Sequence, residues 1–405
     1  MIRRIGLVVP VRDDRCRPGR WAGGTRLTDG GTVAIVAAVS LPALQFALPL
    51  GSEIRWSDML ATLIATDPLP LCELLDLSVR RPEDLRVRRE VTIGAKHQPD
   101  LILELDGRRL ALIEVKVLAG LGPAQLNGYL AAVPDADRYV VVYPERLVID
   151  VAAQPPWCGL TWEYLLKAHT TSANAWVSTT ATAWLAHLDA SLPKVGADTV
   201  WNALTPGEDF VVAMRARMSW LHGQLNPPVP IDHDLVPSTA GVSWVVRLFA
   251  DAAVPGYQIL VEVEENLPVR DFPKLALPGG QQPLGPSIKV CLRQDGVQTS
   301  AGFDWDYLLA VWPTMRDARS DWVRNRAQPK AAHDRQAYKT MVAKGGPPFL
   351  GIGFGEAQAK QSKACMFGAR LQLQPTVRLA DIKATLESLY ELIEQMAAVH
   401  IETTA

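Results

Sequence analysis

Apolar positions along this chain change period several times, and each change predicts an element. Leu101 to Leu105 and Leu110 to Val117 are short apolar runs joined by Asp106-Gly107, the pairing that predicts two buried strands around a tight hairpin turn. Upstream, Ser57 to Leu77 has a helical pattern and Arg86 to Ile93 a strand pattern. Downstream, Gly122 to Leu130 predicts a helix with Pro123 in its first turn, followed by a strand over Arg138 to Tyr143. Leu160 to Lys167 and Trp176 to Leu192 predict amphipathic helices that cover the sheet.

Beyond Leu192 the pattern changes. Pro193, Gly196 and Pro206 mark a boundary, and a helix is expected from about Asp209. Strands follow at Val242 to Phe249, Tyr257 to Val263, Ile288 to Leu292, Phe349 to Gly355 and Ala369 to Leu373. Short helices are expected at Asp304 to Trp312, Asp321 to Asn325 and Asp334 to Ala343, and a long one at Leu379 to His400. The chain therefore divides into a leader (1–50), an α/β domain (51–195) and a C-terminal α+β domain (196–405) whose residues carry no motif of their own. By analogy with other two-part proteins, that last domain would serve recognition, sensing or oligomerisation, a homodimer among the arrangements open to it.

The hairpin brings chemistry together. Glu114 and Lys116 lie two residues apart on one strand and share a sheet face. A turn at Gly107 or Arg108 sets Asp100 opposite or diagonal to Glu114, with Cβ atoms roughly 5 to 8 Å apart. Two carboxylates among Leu, Ile and Val are costly without compensation, which a hard cation bound through oxygen supplies. Magnesium suits such a pair, with Asp100, Glu114 and the Val115 carbonyl as ligands and waters left to meet a phosphate; manganese is the substitute. Lys116 would hold the attacking water or stabilise charge growing on phosphate oxygens. The competing reading is an ordinary cross-strand ion pair. Gln125 and Tyr129, one turn apart on the next helix, weigh against it.

Pro99-Asp100, Glu114-Val115-Lys116, Gln125 and Tyr129, in this element order, resemble the PD-(D/E)XK nuclease superfamily in its branch with a Gln-x-x-x-Tyr helix. The resemblance covers roughly residues 50 to 195. It implies a restriction-endonuclease-like αβββαβ core with a mixed central sheet. Asp100 and Glu114 would be metal ligands, Lys116 the catalytic lysine, and Gln125 and Tyr129 substrate contacts or supports for the lysine. It also implies a metal-dependent phosphodiesterase acting on DNA, in a bacterial defence or restriction-like role. The alternative is a module that keeps the fold and binds nucleic acid or protein without catalysis. An acid on the first core helix is also expected; Glu53, Asp58 and Glu73 are candidates, with Glu90 a fourth.

Composition changes little. With 405 residues, 48% hydrophobic, 21% charged and a net charge of −2, the chain has an ordinary globular make-up. Two basic stretches could meet phosphates: Arg80 to Lys96, and Arg316, Arg319, Arg324, Arg326, Lys330, Arg335 and Lys339 with Trp312, Trp322 and Tyr338 interleaved. The second could equally be a solvated face. Five dispersed cysteines form no Cys-x-x-Cys pair, which argues against a zinc site or disulfide framework and suits a reducing cytoplasm. Asp232-His233-Asp234 is expected in a polar loop rather than at a metal, and the absence of a Walker-type loop gives no indication of ATP. Thr32 to Leu50 is apolar after a basic leader, a pattern shared with signal anchors, but Pro42, Gln45 and Pro49 interrupt it and favour a packed or disordered leader over a membrane role.

Overall fold

A computed structural model describes residues 52–204, apart from 94–96, 119, 122–124, 148, 150 and 152–153. It also describes 210–237, 244–264, 285–295, 304–322 and 364–400, with Leu50, Thr340 and Ala343. The chain divides after Pro193 into two compact units. Expectations for residues 1–49, and for the elements at Asp334 to Ala343 and Phe349 to Gly355, lie wholly or largely outside the described residues.

The first unit is a mixed five-stranded sheet with helices. Its elements run α1 (Glu53–Thr66), α2 (Leu69–Leu74), β1 (Arg86–Arg89), β2 (Leu101–Leu105), β3 (Arg108–Val115), α3 (Gln125–Ala132), β4 (Arg138–Tyr143), β5 (Cys158–Thr161), α4 (Trp162–His169) and α5 (Ala175–Ser191). The strands lie in chain order across the sheet, β1 to β3 antiparallel and β3 to β5 parallel. β3 and β4 are central and parallel, so both their faces are covered, and Leu110–Val115 and Tyr139–Val142 are buried without interruption. At the hairpin, Asp106 (φ 51°) and Gly107 (φ 79°) both take the left-handed conformation that a two-residue turn matched to strand twist requires.

α1 buries Trp56, Leu60, Leu63 and Ile64, a helical stripe. Trp56 meets Trp162 and Trp184 at ring-centroid distances of 5.3 and 5.1 Å, and Trp162 meets Trp184 at 5.0 Å. This indole cluster joins α1, α4 and α5 and forms a rigid floor behind the end of β3.

Several boundaries differ from expectation for local reasons. The helix expected over Ser57 to Leu77 is two helices, because Pro68 cannot continue the first. The strand expected to reach Ile93 stops at Arg89, since Glu90 adopts a left-handed φ of 47°. Leu160 and Thr161 belong to an edge strand, and α4 starts only after Thr161, whose Oγ1 accepts the Tyr164 N–H at 3.3 Å.

The second unit is built on an antiparallel sheet of order β10-β9-β8-β7-β6. It comprises α6 (Phe210–Gln224), β6 (Asp232–Pro237), β7 (Trp244–Asp251), β8 (Tyr257–Glu264), β9 (Ser287–Asp295), α7 (Trp305–Ala318), β10 (Ala364–Gln372), α8 (Leu379–Glu387) and α9 (Tyr390–Ala397). Asp232, His233 and Asp234 open β6 instead of lying in a loop, and Asp234 accepts from Arg247 Nε on β7 at 2.8 Å. α7 runs through Pro313 to Ala318, Asp321 and Trp322 are not helical, and the expected C-terminal helix breaks at Ser388 and Leu389. Its core packs the apolar face of the sheet, including Val246, Leu248, Val261 and Val290, against Met218, Tyr307, Val311 and Ile393.

Candidate active site in the first unit

The sheet register positions the first carboxylate. Leu101 pairs with Ile113, so the same register carried one residue further sets Asp100 opposite Glu114. Asp100 Oδ2 accepts the Val115 backbone N–H at 2.7 Å, which draws the carboxylate across to β3. Glu114 is the second-last residue of the buried run of β3, and Lys116 follows just past the strand, where its N–H bonds to the Val142 carbonyl at 2.8 Å. Glu114 is only 3% exposed and Lys116 7%.

Lys116 Nζ lies 2.8 Å from Glu114 Oε1 and 3.9 Å from Glu53 Oε2. Glu53 stands at the start of α1 and anchors there by accepting the Val117 N–H at 2.8 Å. The indole N–H of Trp162 donates to the Lys116 carbonyl at 2.9 Å, tying the lysine backbone to the indole floor. From α3, Gln125 Nε2 donates to Glu114 Oε1 at 2.7 Å and lies 3.1 Å from the Tyr129 hydroxyl. That hydroxyl in turn donates to the Gln98 carbonyl at 3.2 Å. Asp100, Glu114, Lys116, Gln125, Tyr129 and Glu53 therefore form one connected cluster.

Within the cluster itself, three carboxylates surround one ammonium. Burial, then the neighbouring Glu114, pushes the Asp100 carboxyl up to about 7, against the opposing pull of the Val115 hydrogen bond and Lys116. Burial also raises Glu114, with Lys116 opposing it. Burial alone would lower the Lys116 ammonium, but Glu114, Glu53 and Asp100 more than offset this and raise it, so it stays charged. The Tyr129 phenol is raised mainly by burial and remains a donor.

Glu114 Oε2 is buried and meets no donor among the described residues. A buried carboxylate oxygen left without a partner costs on the order of 1–3 kcal/mol. Among the described residues no three His, Cys, Asp or Glu side chains form a ready-made metal cage. A magnesium ion needs less, commonly one or two carboxylates with waters completing its shell. Asp100 and Glu114 are the donors that fit, with Glu53 beside them.

Other candidates fall away from this cluster. Asp58 is turned to an ion pair with Arg89, and Glu73 lies exposed on α2. Glu90 follows β1 rather than alternating within it. In the second unit Arg316 and Arg319 bond to Asp317 at 2.7 Å and Asp321 at 2.9 Å. Trp312 and Trp322 are buried, and the Trp322 indole donates to the Met315 carbonyl at 2.7 Å, so neither ring offers a face to a base. Arg324, Arg326 and Lys330 lie outside the described residues. A cleft of about 730 Å³ beside Arg316, Arg319 and Ser388 is lined by none of the cluster residues.

Sequence reasoning missed two residues, Gln98 and Trp162, because both act through contacts with residues distant in the chain, at Tyr129 and at Lys116. Comparison of the chain with family models, with curated proteins and with solved structures returned no match. No helix among the described residues is long and apolar enough to cross a membrane.

Proposed function

We propose that the first unit is a PD-(D/E)XK-type nuclease domain that hydrolyses phosphodiester bonds, with DNA as its expected substrate. The observation that carries this reading is the convergence of Asp100, Glu114, Lys116, Gln125 and Tyr129 on one buried cluster, in which Glu114 Oε2 meets no donor among the described residues. Element order adds support: a helix, three antiparallel strands, a helix and a parallel strand.

Asp100 and Glu114, with the Val115 carbonyl, would hold magnesium or manganese. When bound, the ion supplies Lewis-acid polarisation of a phosphate oxygen and a water more acidic than bulk. Lys116, kept charged by its carboxylate neighbours, stabilises negative charge that builds on the phosphate oxygens during attack. Gln125 fixes the orientation of Glu114, and Tyr129 fixes Gln125. Glu53 restrains the segment after Lys116 through the Val117 N–H.

The test is cleavage of supercoiled plasmid, linear duplex, single-stranded DNA and RNA by the purified chain with Mg²⁺, Mn²⁺ or EDTA, beside Lys116→Ala. The expected result is metal-dependent cutting that falls by roughly 10³-fold in the variant, a loss of transition-state stabilisation. Cutting that persists in EDTA or in Lys116→Ala contradicts the assignment. Metal binding without cutting of any substrate would instead favour a non-catalytic module.

A further inference from the structure

The segment leading into Asp100 is held by residues that no motif marks. Where β1 ends, Glu90 takes a φ of 47°, a conformation that costs a non-glycine residue and persists only when its surroundings enforce it. That backbone turn comes directly after the last bond of the β1–β2 register, in which the Glu90 N–H donates to the Asp100 carbonyl at 3.0 Å. It turns the Glu90 carbonyl toward Gln98, whose Nε2 donates to it at 2.8 Å. Between these contacts Ile93 and His97 bond reciprocally through their backbones, at 2.7 and 3.3 Å. The loop is thus closed on itself just before the carboxylate.

The closure also reaches the far side of the site. The Gln98 carbonyl accepts the Tyr129 hydroxyl, Tyr129 meets Gln125, and Gln125 bonds Glu114. Gln98 therefore holds Glu90 through its side chain and Tyr129 through its backbone. From the Glu90 carbonyl a line of hydrogen bonds runs through Gln98, Tyr129 and Gln125 to Glu114, while the Glu90 N–H bonds the Asp100 backbone directly. Gln98 is exposed, so it contributes little to the core.

We propose that Glu90 and Gln98 form a buckle whose role is to position Asp100 against β3. Its consequence for catalysis rests on the nuclease reading above, whereas the positioning itself does not. Gln98 and Glu90 are positioning residues, since they act through Asp100 and Tyr129 rather than on substrate.

The Val115 amide reports the position of Asp100 directly, because its hydrogen bond is to Asp100 Oδ2, whereas the adjacent Lys116 amide bonds to Val142 and serves as an internal control. Amide hydrogen exchange is measured by NMR on the full chain for wild type, Gln98→Ala, Gln98→Arg, Glu90→Gly and Glu90→Val. In Gln98→Ala the Val115 amide is expected to exchange about 10-fold faster with Lys116 unchanged, a local opening. Gln98→Arg, which restores a donor, should return it toward wild type. Glu90→Gly tolerates the left-handed φ and should leave exchange unaltered, whereas the β-branched Glu90→Val should accelerate it. Plasmid cutting by Gln98→Ala should fall about 10-fold in kcat with KM for DNA unchanged, the pattern of a misplaced catalytic group. Wild-type exchange at Val115 in Gln98→Ala, or equal acceleration at Val115 and Lys116, overturns the buckle whatever cutting does. Faster Val115 exchange in a chain that cuts nothing upholds the buckle and removes the nuclease reading alone.

Discussion

The two sheets each bury charge, and they handle it in opposite ways. In the second unit a row of side chains crosses all five strands in register, Asp234, Arg247, Glu262, Lys289 and Arg370. Signs alternate over its first four positions. Lys289, only 2% exposed, is paired with Glu262 and with Glu264 at 3.0 Å. Burial alone would lower its ammonium, but these carboxylates outweigh that and raise it. In the first unit one lysine faces three carboxylates, and one Glu114 oxygen meets no donor among the described residues. The matched part of the row, Asp234 to Lys289, is consistent with structure for its own sake. An unmatched cluster would be relieved by a further positive charge, which supports the proposal of a catalytic site in the first unit.

That contrast can be broken at several points. Lys116→Ala should reduce cutting by roughly 10³-fold, equivalent to about 4 kcal/mol, and should also lower the urea midpoint of the metal-free protein, because buried Glu114 loses its ammonium partner. Lys289→Met should instead leave cutting unchanged while taking the cation from buried Glu262 and half-buried Glu264, costing about 3–5 kcal/mol in the same melt. A Lys289→Met chain as stable as wild type would mean the row is not the matched network described here.

Asp100→Asn sharpens the difference, since it should stabilise the metal-free fold by about 1–3 kcal/mol at pH 8 while abolishing activity. The sign follows from its raised carboxyl, about 7 against an ordinary 3.8. Between those values the folded chain keeps a proton that the unfolded chain has lost, so the Asp100 contribution lowers stability as pH rises through that window. Asp100→Asn should flatten that slope in melts run in EDTA from about pH 4 to 8; an unchanged slope would mean that Asp100 ionises normally. The smallest effect is expected from Arg316→Ala with Arg319→Ala. Both guanidinium groups are already held by aspartates, so the slope of DNA affinity against salt should change by less than about one unit. A larger change would make this surface part of the nucleic-acid interface.

How much of this was legible beforehand depended on the range of each interaction. The Asp106-Gly107 turn, the flanking apolar runs and the strand at Arg138–Tyr143 are local signals that set Asp100 opposite or diagonal to Glu114; direct opposition depends on a β-bulge at Leu103 and Glu104, which no local signal marks. Gln125 and Tyr129 were readable from helical spacing. The choice among Glu53, Asp58 and Glu73 was not. It turns on which acid meets the Val117 N–H and which meets Arg89, contacts that span long stretches of chain. β6 was missed because Asp232-His233-Asp234 carries no strand signal alone and is stabilised by pairing with β7. Trp312 and Trp322 were read as candidate stacking surfaces because composition does not show that both are buried.

Titration of Mn²⁺ into the metal-free chain by calorimetry, for wild type beside Glu114→Gln, tests most directly whether the unmatched cluster exists to receive a cation. The account predicts saturable binding in wild type that Glu114→Gln weakens at least 10-fold, with the melt of the metal-free variant unchanged or raised. Wild type that binds no Mn²⁺, or binding that is as tight in Glu114→Gln, would contradict it.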